Sequence, residues 1–317
     1  MTRWLLCAAV LAGAACQRLQ PTPAASATPA PDPLEEGKAL LEQGQLDSAL
    51  ARLEGAPATA DSLYYQGVVW LRRSETAPLP TPVPVAGDPR RVRVPEFKDE
   101  ELKALELFDE AVAQDPRYGA AHLAAAELLA AHAVRRHEES AAAAPRRGRA
   151  RPPETPPPVE GEPDLNADRI LASYRAAADS DPSPQPVEAL IRFAMRMGRL
   201  EDARSGYEEL VRRDKENPEP LVRFGDFLVS QLKDRRGAIE SYSQALIWRP
   251  DDEATRSKLA DIYIGMGMEH YARKEWAAAQ ARFADAEKYI SDRNSPQGLK
   301  VQDHQARLRE IRRPSGR

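Results

Sequence analysis

Three stretches of the chain repeat one spacing of apolar residues on a largely polar background: Ala104, Phe108, Ala111 and Pro116; Ile170, Tyr174, Ala177 and Pro182; Ala238, Tyr242, Ala245 and Pro250. A looser copy runs from Ala49 and Leu53 to Ala56. Ala203 with Tyr207, and Ala279 with Phe283 and Ala286, keep the spacing without the proline. Residues four and then three apart share one helical face. The pattern therefore predicts amphipathic helices with a small, large, small stripe, which lets a neighbouring helix approach at the alanines and close around the large residue. The proline ends each helix, because it has no N–H and restricts the residue before it. A helix pair that cannot bury its own face stacks on the next pair, giving a self-similarity of roughly 34 residues.

This stripe resembles the second helix of a tetratricopeptide repeat. By that resemblance Gly37, Gly67, Gly225 and Gly267 stand where such a repeat keeps a small residue on its first helix, with Leu40, Trp70, Leu228 and Tyr263 as the larger neighbours. The segment from Val187 to Met197 carries Ile191 at that place and is a poorer match. Six repeats of uneven quality are expected over residues 34–295, in an all-α superhelical solenoid. Repeats of this kind bind other proteins, so the resemblance implies a partner rather than a reaction.

Composition agrees with a helical, non-membrane body. Of 317 residues 42% are hydrophobic, 30% charged and 6% aromatic, and the net charge is −4. That balance gives no overall field toward nucleic acid or anionic lipid. Residues 1–15 read as an export signal: Arg3 is the basic start, and Trp4 to Ala15 is an apolar run too short for a bilayer, which needs about 20 residues. Leu11-Ala12-Gly13-Ala14-Ala15-Cys16 resembles a bacterial lipobox, in which Cys16 becomes the lipidated first mature residue. Gly13 departs from the usual Leu of that motif, and the alternative is ordinary cleavage after Ala14 or Ala15 leaving a soluble exported protein. Cys16 would be the one cysteine of the mature chain, which suits an anchor. Gln17, by the same resemblance, implies sorting to the outer membrane.

Residues 16–33 then form a Pro/Ala-rich tether. Two Pro/Arg-rich inserts, at about 76–97 and 138–164, are expected to lack regular structure. Each falls between the first and second helix of one repeat, so both should leave the solenoid on one edge. Asp47, Asp202 and Asp234 stand near helix starts as candidate caps. Residues 296–317 give a capping helix and tail, with Leu299, Val301, Leu308 and Ile311 as a partial apolar stripe.

The resemblance implies an inner groove lined by the first helices, with candidates Tyr64, Val68, Leu71, Leu123, Glu127, Arg192, Met195, Arg196, Val222, Asp226, Ile264, Met268 and Tyr271. Such a groove is apolar with a cationic middle and suits an amphipathic helix or extended peptide. The same residues in a shifted register would be inter-helix packing. A carboxylate clamp of Lys and Asn is not expected, because Asn166, Asn217 and Asn294 lie off the first helices. The five histidines, His122, His132, His137, His270 and His304, make no zinc-protease pair, and no phosphate loop or nucleophile elbow is present. No catalysis, cofactor, metal, nucleic acid or small-molecule substrate is expected. The features together are similar to lipoprotein pilotins and assembly factors of type IV pili. The expectation is an outer-membrane scaffold holding other envelope proteins, or else a periplasmic adaptor or regulator of cell-wall enzymes.

Overall fold

The structure is a computed structural model and describes residues 32–85, 88–143 and 163–312. The expected signal, Cys16, most of the expected tether, the bulk of the expected second insert and the last five residues lie outside the described residues.

Helices come in antiparallel pairs: α1 (Pro33–Glu42) with α2 (Leu46–Glu54), α3 (Ala60–Thr76) with α4 (Asp99–Gln114), α5 (Gly119–Ala143) with α6 (Ala167–Ser180), and α7 (Gln185–Arg196) with α8 (Leu200–Arg213). Two more pairs follow, α9 (Pro218–Phe227) with α10 (Arg235–Trp248) and α11 (Glu253–Ala272) with α12 (Trp276–Glu287), and α13 (Pro296–Arg312) closes the series. One π-helical turn, Leu228–Leu232, prolongs α9 and ends at Lys233 with φ 57°. This is an all-α solenoid of tetratricopeptide type.

The packing explains the spacing. A Cβ added at Gly67 would lie 2.5 Å from Cε1 of Phe108, one at Gly225 2.5 Å from Cε1 of Tyr242, and one at Gly267 2.8 Å from Cε1 of Phe283. Gly37 stands in the same relation to Leu53. In each pair the large residue of the second helix fills the notch left by the glycine of the first. Ala49, Ala104, Ala111, Ala177, Ala203, Ala238, Ala245, Ala279 and Ala286 are buried where neighbouring helices touch. One core runs without a break from α3 to α11. A smaller one joins α1, α2 and α3, and another joins α11, α12 and α13 through Ile264, Phe283, Val301 and Leu308.

Tyr207 departs from the pattern. Its ring packs forward onto the next repeat, 5.0 Å from Phe227 and 5.9 Å from Phe224, and Gly206 beside it meets Ile191 instead.

Helix ends are secured by several devices. Asp234 caps α10 by accepting the N–H of Gly237, as expected. Asp47 and Asp202 do not cap. Asp47 pairs with Arg73, and Asp202 pairs with Arg175 and Arg199. Both lie inside the first turn of their helices, where a side chain is directed outward to a cation instead of back to the first turn. Asn166 and Asn217 cap α6 and α9.

The first insert differs from expectation. It carries a short antiparallel hairpin of β1 (Val83–Val85) and β2 (Asp88–Arg93), with Val83 opposite Arg93. Its exit is fastened to the solenoid. Phe97 is buried, and its ring lies 4.0 Å from that of His132 on α5. The backbone N–H of Lys98 donates to Glu101 at 2.8 Å, and the Lys98 ammonium donates to the carbonyls of Ser74 and Ala77 at the end of α3. Helix α5 also runs on to Ala143, past the expected start of the second insert.

Candidate functional site on the inner face

The first helices of successive pairs stand side by side and are joined by charges. Lys38 of α1 meets Asp61 of α3 at 3.0 Å, Glu188 of α7 meets Arg223 of α9 at 2.6 Å, and Asp226 of α9 meets Lys258 of α11 at 2.7 Å. Two of these carboxylates also accept from a phenol. Tyr118 donates to Asp61, and the Tyr242 hydroxyl donates to Asp226 at 2.6 Å. Burial is the larger cause and these hydrogen bonds the next in pushing the Tyr118 and Tyr242 phenols well above their usual range. These partly exposed pairs bridge neighbouring repeats and add only modestly to stability.

Pairing and burial reassign several expected groove residues. Asp226 is committed to Tyr242 and Lys258. Ile264 is buried in the core that α13 completes, so its side chain faces packing and not the groove. Tyr271 packs edge-on against Trp276 and His304. Tyr64 is ringed by Tyr65, Phe108 and Tyr118. Val68, Leu71, Leu123, Met195 and Val222 are partly buried against the main core. Met268 is exposed.

Three expected residues converge. Glu127, Arg192 and Arg196 line one open depression of about 340 Å³ between α5 and α7. Its floor is Ala130, Ala131, Val134, Tyr174, Ala189 and Phe193, none of which was a groove candidate from sequence. The spacing of Glu127, Ala131 and Val134 along α5 is the signal that would have found them, since residues three and four apart share a face. Burial pushes the Tyr174 phenol up; the Glu127 carboxylate adds to this and the Arg192 guanidinium opposes it. Both charges thus act on the floor of the depression. The site is a largely apolar floor, half of it alanine, between one acidic wall and one basic wall.

A second depression, of about 460 Å³, lies between the α6–α7 and α8–α9 turns, but its cations are spent. Arg213 donates to the carbonyls of Ala178, Asp181 and Ser183, and Arg223 holds Glu188. Among the described residues no group of His, Cys, Asp and Glu could hold a metal ion. No described helix is long and apolar enough to cross a membrane.

Among solved structures the chain is similar to pilF of Pseudomonas aeruginosa, at 14% identity and a TM-score of 0.39 over 87% of this chain and 96% of that one. It is also similar to a thermophilic TPR protein of Thermus thermophilus, at 17% identity and a TM-score of 0.35 over 73% and 96% of the two chains. The C-terminal part of a TPR repeat-containing protein from Cytophaga hutchinsonii gives 9% identity and a TM-score of 0.42 over 85% and 86%. No protein-family model matches the chain, and no curated protein does. The chain's own packing, a glycine on the first helix filled by a large residue of the second, therefore carries the assignment of its fold to tetratricopeptide-type repeats.

Proposed function

We propose that this chain is a non-catalytic scaffold of the bacterial cell envelope that holds other proteins against its inner face. The depression between α5 and α7 carries the reading. It is the place where exposed charge of both signs and an apolar floor meet on the face formed by the first helices. A helix or extended segment laid there gains apolar contact from the floor and orientation from the walls. The lipobox-like run ending at Cys16 supports export and anchoring by lipid, with residues 16–33 as the lipidated cysteine and its tether. In this reading the chain serves the assembly of envelope machinery such as a pilus, secretin or motility complex.

Two experiments test the reading. Photo-crosslinking from position 131 in intact cells should capture a discrete envelope protein, and substituting Ala131→Trp should abolish capture from another position lining the depression. Palmitate labelling and fractionation should place native protein in the outer membrane, with label and location both lost in Cys16→Ser. Co-sedimentation with purified peptidoglycan, without any protein adduct, would instead favour an adaptor that binds cell-wall polymer.

A further inference from the structure

Arg192 is the odd member of the inner-face charges. Lys38, Arg223 and Lys258 are each held by a carboxylate at 2.6 to 3.0 Å. Among the described residues Arg192 has no such partner, although it stands exposed on the wall of the depression. Arg196, four residues on, lies on the same face of α7. Its partner is Glu138 at 3.7 Å, with 66% and 63% of the two side chains exposed, a pair that solvent screens. The α7 wall therefore offers two guanidinium groups one helical turn apart, one unpaired and one loosely paired. On the facing α5 wall the carboxylate that lines the depression is Glu127, with Glu138, the loose partner of Arg196, further along the same helix. Between them Ala130, Ala131 and Ala189 leave the floor shallow enough for another backbone to approach closely.

We infer that this depression selects a helical segment of another protein that carries two acidic side chains one turn apart. The inference rests on the inner-face reading above and names the chemistry of the partner. Carboxylates at i and i+4 of a docked helix match the spacing of Arg192 and Arg196. Guanidinium–carboxylate pairs are geometrically specific, and a partner carboxylate displaces Glu138 at little cost. Glu127 repels acid on the opposite side, so the partner presents a neutral or basic residue toward α5. A uniformly acidic stretch meets Glu127 and is disfavoured.

The test uses the full chain and three fluorescein-labelled, alanine-rich peptides of about 16 residues, long enough to be partly helical in water. They are identical except for a Glu/Glu, Gln/Gln or Lys/Lys pair at i and i+4. Anisotropy titrations should show the Glu/Glu peptide binding about tenfold more tightly than the Gln/Gln peptide, and the Lys/Lys peptide most weakly. The double variant R192E/R196E should reverse that order, and Glu127→Gln should tighten the Glu/Glu peptide. Retention of the folded helical spectrum by each variant excludes misfolding, since all three positions are exposed. Equal affinity of the three peptides, each lost in Ala131→Trp, would overturn the acidic selectivity and leave the inner-face reading standing. Binding of none of them, or of all in a manner Ala131→Trp leaves unchanged, would overturn both. Inorganic polyphosphate that displaced the Glu/Glu peptide at an equal concentration of negative charge would overturn the choice of a protein partner.

Discussion

Gly206 of α8 lies against Ile191 of α7, so closely that a Cβ on Gly206 would come within 2.6 Å of Ile191 Cγ1. In the pairs built on Gly37, Gly67, Gly225 and Gly267 the glycine is on the first helix and the large residue on the second. Here the two are exchanged, and the contact is kept. Among the described helices five of the six pairs keep one notch and one knob, and the notch can stand on either helix.

Two substitutions separate this from ordinary packing. Gly206→Ala should overpack the contact and cost about 1–3 kcal/mol, while Ile191→Ala opens a void and costs about 2–4 kcal/mol. Together they should cost less than the sum, because the smaller residue admits the added methyl. Urea unfolding followed by circular dichroism measures all three, and strict additivity would mean the two residues do not share one contact.

The hairpin insert is held at its exit by Phe97. Arg135 donates to Nδ1 of His132, and since a guanidinium can only donate, Nε2 carries the proton and faces Glu101 at 3.3 Å. Glu101 in turn accepts the N–H of Lys98, so α5, the start of α4 and the insert are tied at one point. Phe97→Ala should cost about 3–5 kcal/mol and should open residues 76–97 to limited proteolysis. His132→Phe keeps the ring contact but leaves Glu101 without that donor. It should loosen the start of α4 in hydrogen exchange with a smaller loss of stability than Phe97→Ala.

The closing helix should be acid-sensitive. Nδ1 of His304 is buried with no hydrogen-bond partner among the described residues, and the ring stacks on Phe283 at 5.1 Å with a 3° interplanar angle. Burial lowers the His304 pKa below the usual 6.5; Lys300 and Arg307 add to this, and Asp303 opposes it. The unfolded chain then binds a proton that the folded chain refuses, so stability rises with pH through this window. On acidification the contribution is complete above about pH 6.5 and falls as pH drops from there toward the lower folded value. Melting curves from about pH 5 to pH 8, the span over which histidines titrate, should slope less in His304→Phe than in the native chain.

The Tyr242–Asp226–Lys258 relay gives a further check. Tyr242 is buried, so Asp226→Ala leaves its hydroxyl without an acceptor and should cost about 1–3 kcal/mol. Asp226→Ala in a Tyr242→Phe background should cost markedly less. Lys258→Ala, at an exposed pair, should cost under about 1 kcal/mol. Thermal melts of the four variants measure these differences.

The helix pairs, their order and most of their knobs follow from local pattern, because each is encoded within one or two turns of one helix. Ala104, Phe108 and Ala111 share a face whatever surrounds them, and Gly225 ahead of the stripe at Ala238, or Gly267 ahead of that at Ala279, marks the notch. The insert bounds were less legible: α5 continues to Ala143, past the point where the arginine and proline run was expected to end it, and the first insert carries a hairpin. Relationships between helices are carried by no local period and emerge only on stacking. Ile191 looked like a defect until Gly206 was seen opposite it. Ile264 looked like a groove residue until α13 was seen to cover it, and Asp226 until Tyr242 and Lys258 were seen to claim it. The open depression exists because α5 and α7 face each other across small side chains, with Glu127 on one wall and Arg192 and Arg196 on the other. Burial and charge pairing are properties of a neighbourhood, and the neighbourhood is set only when the repeats stack.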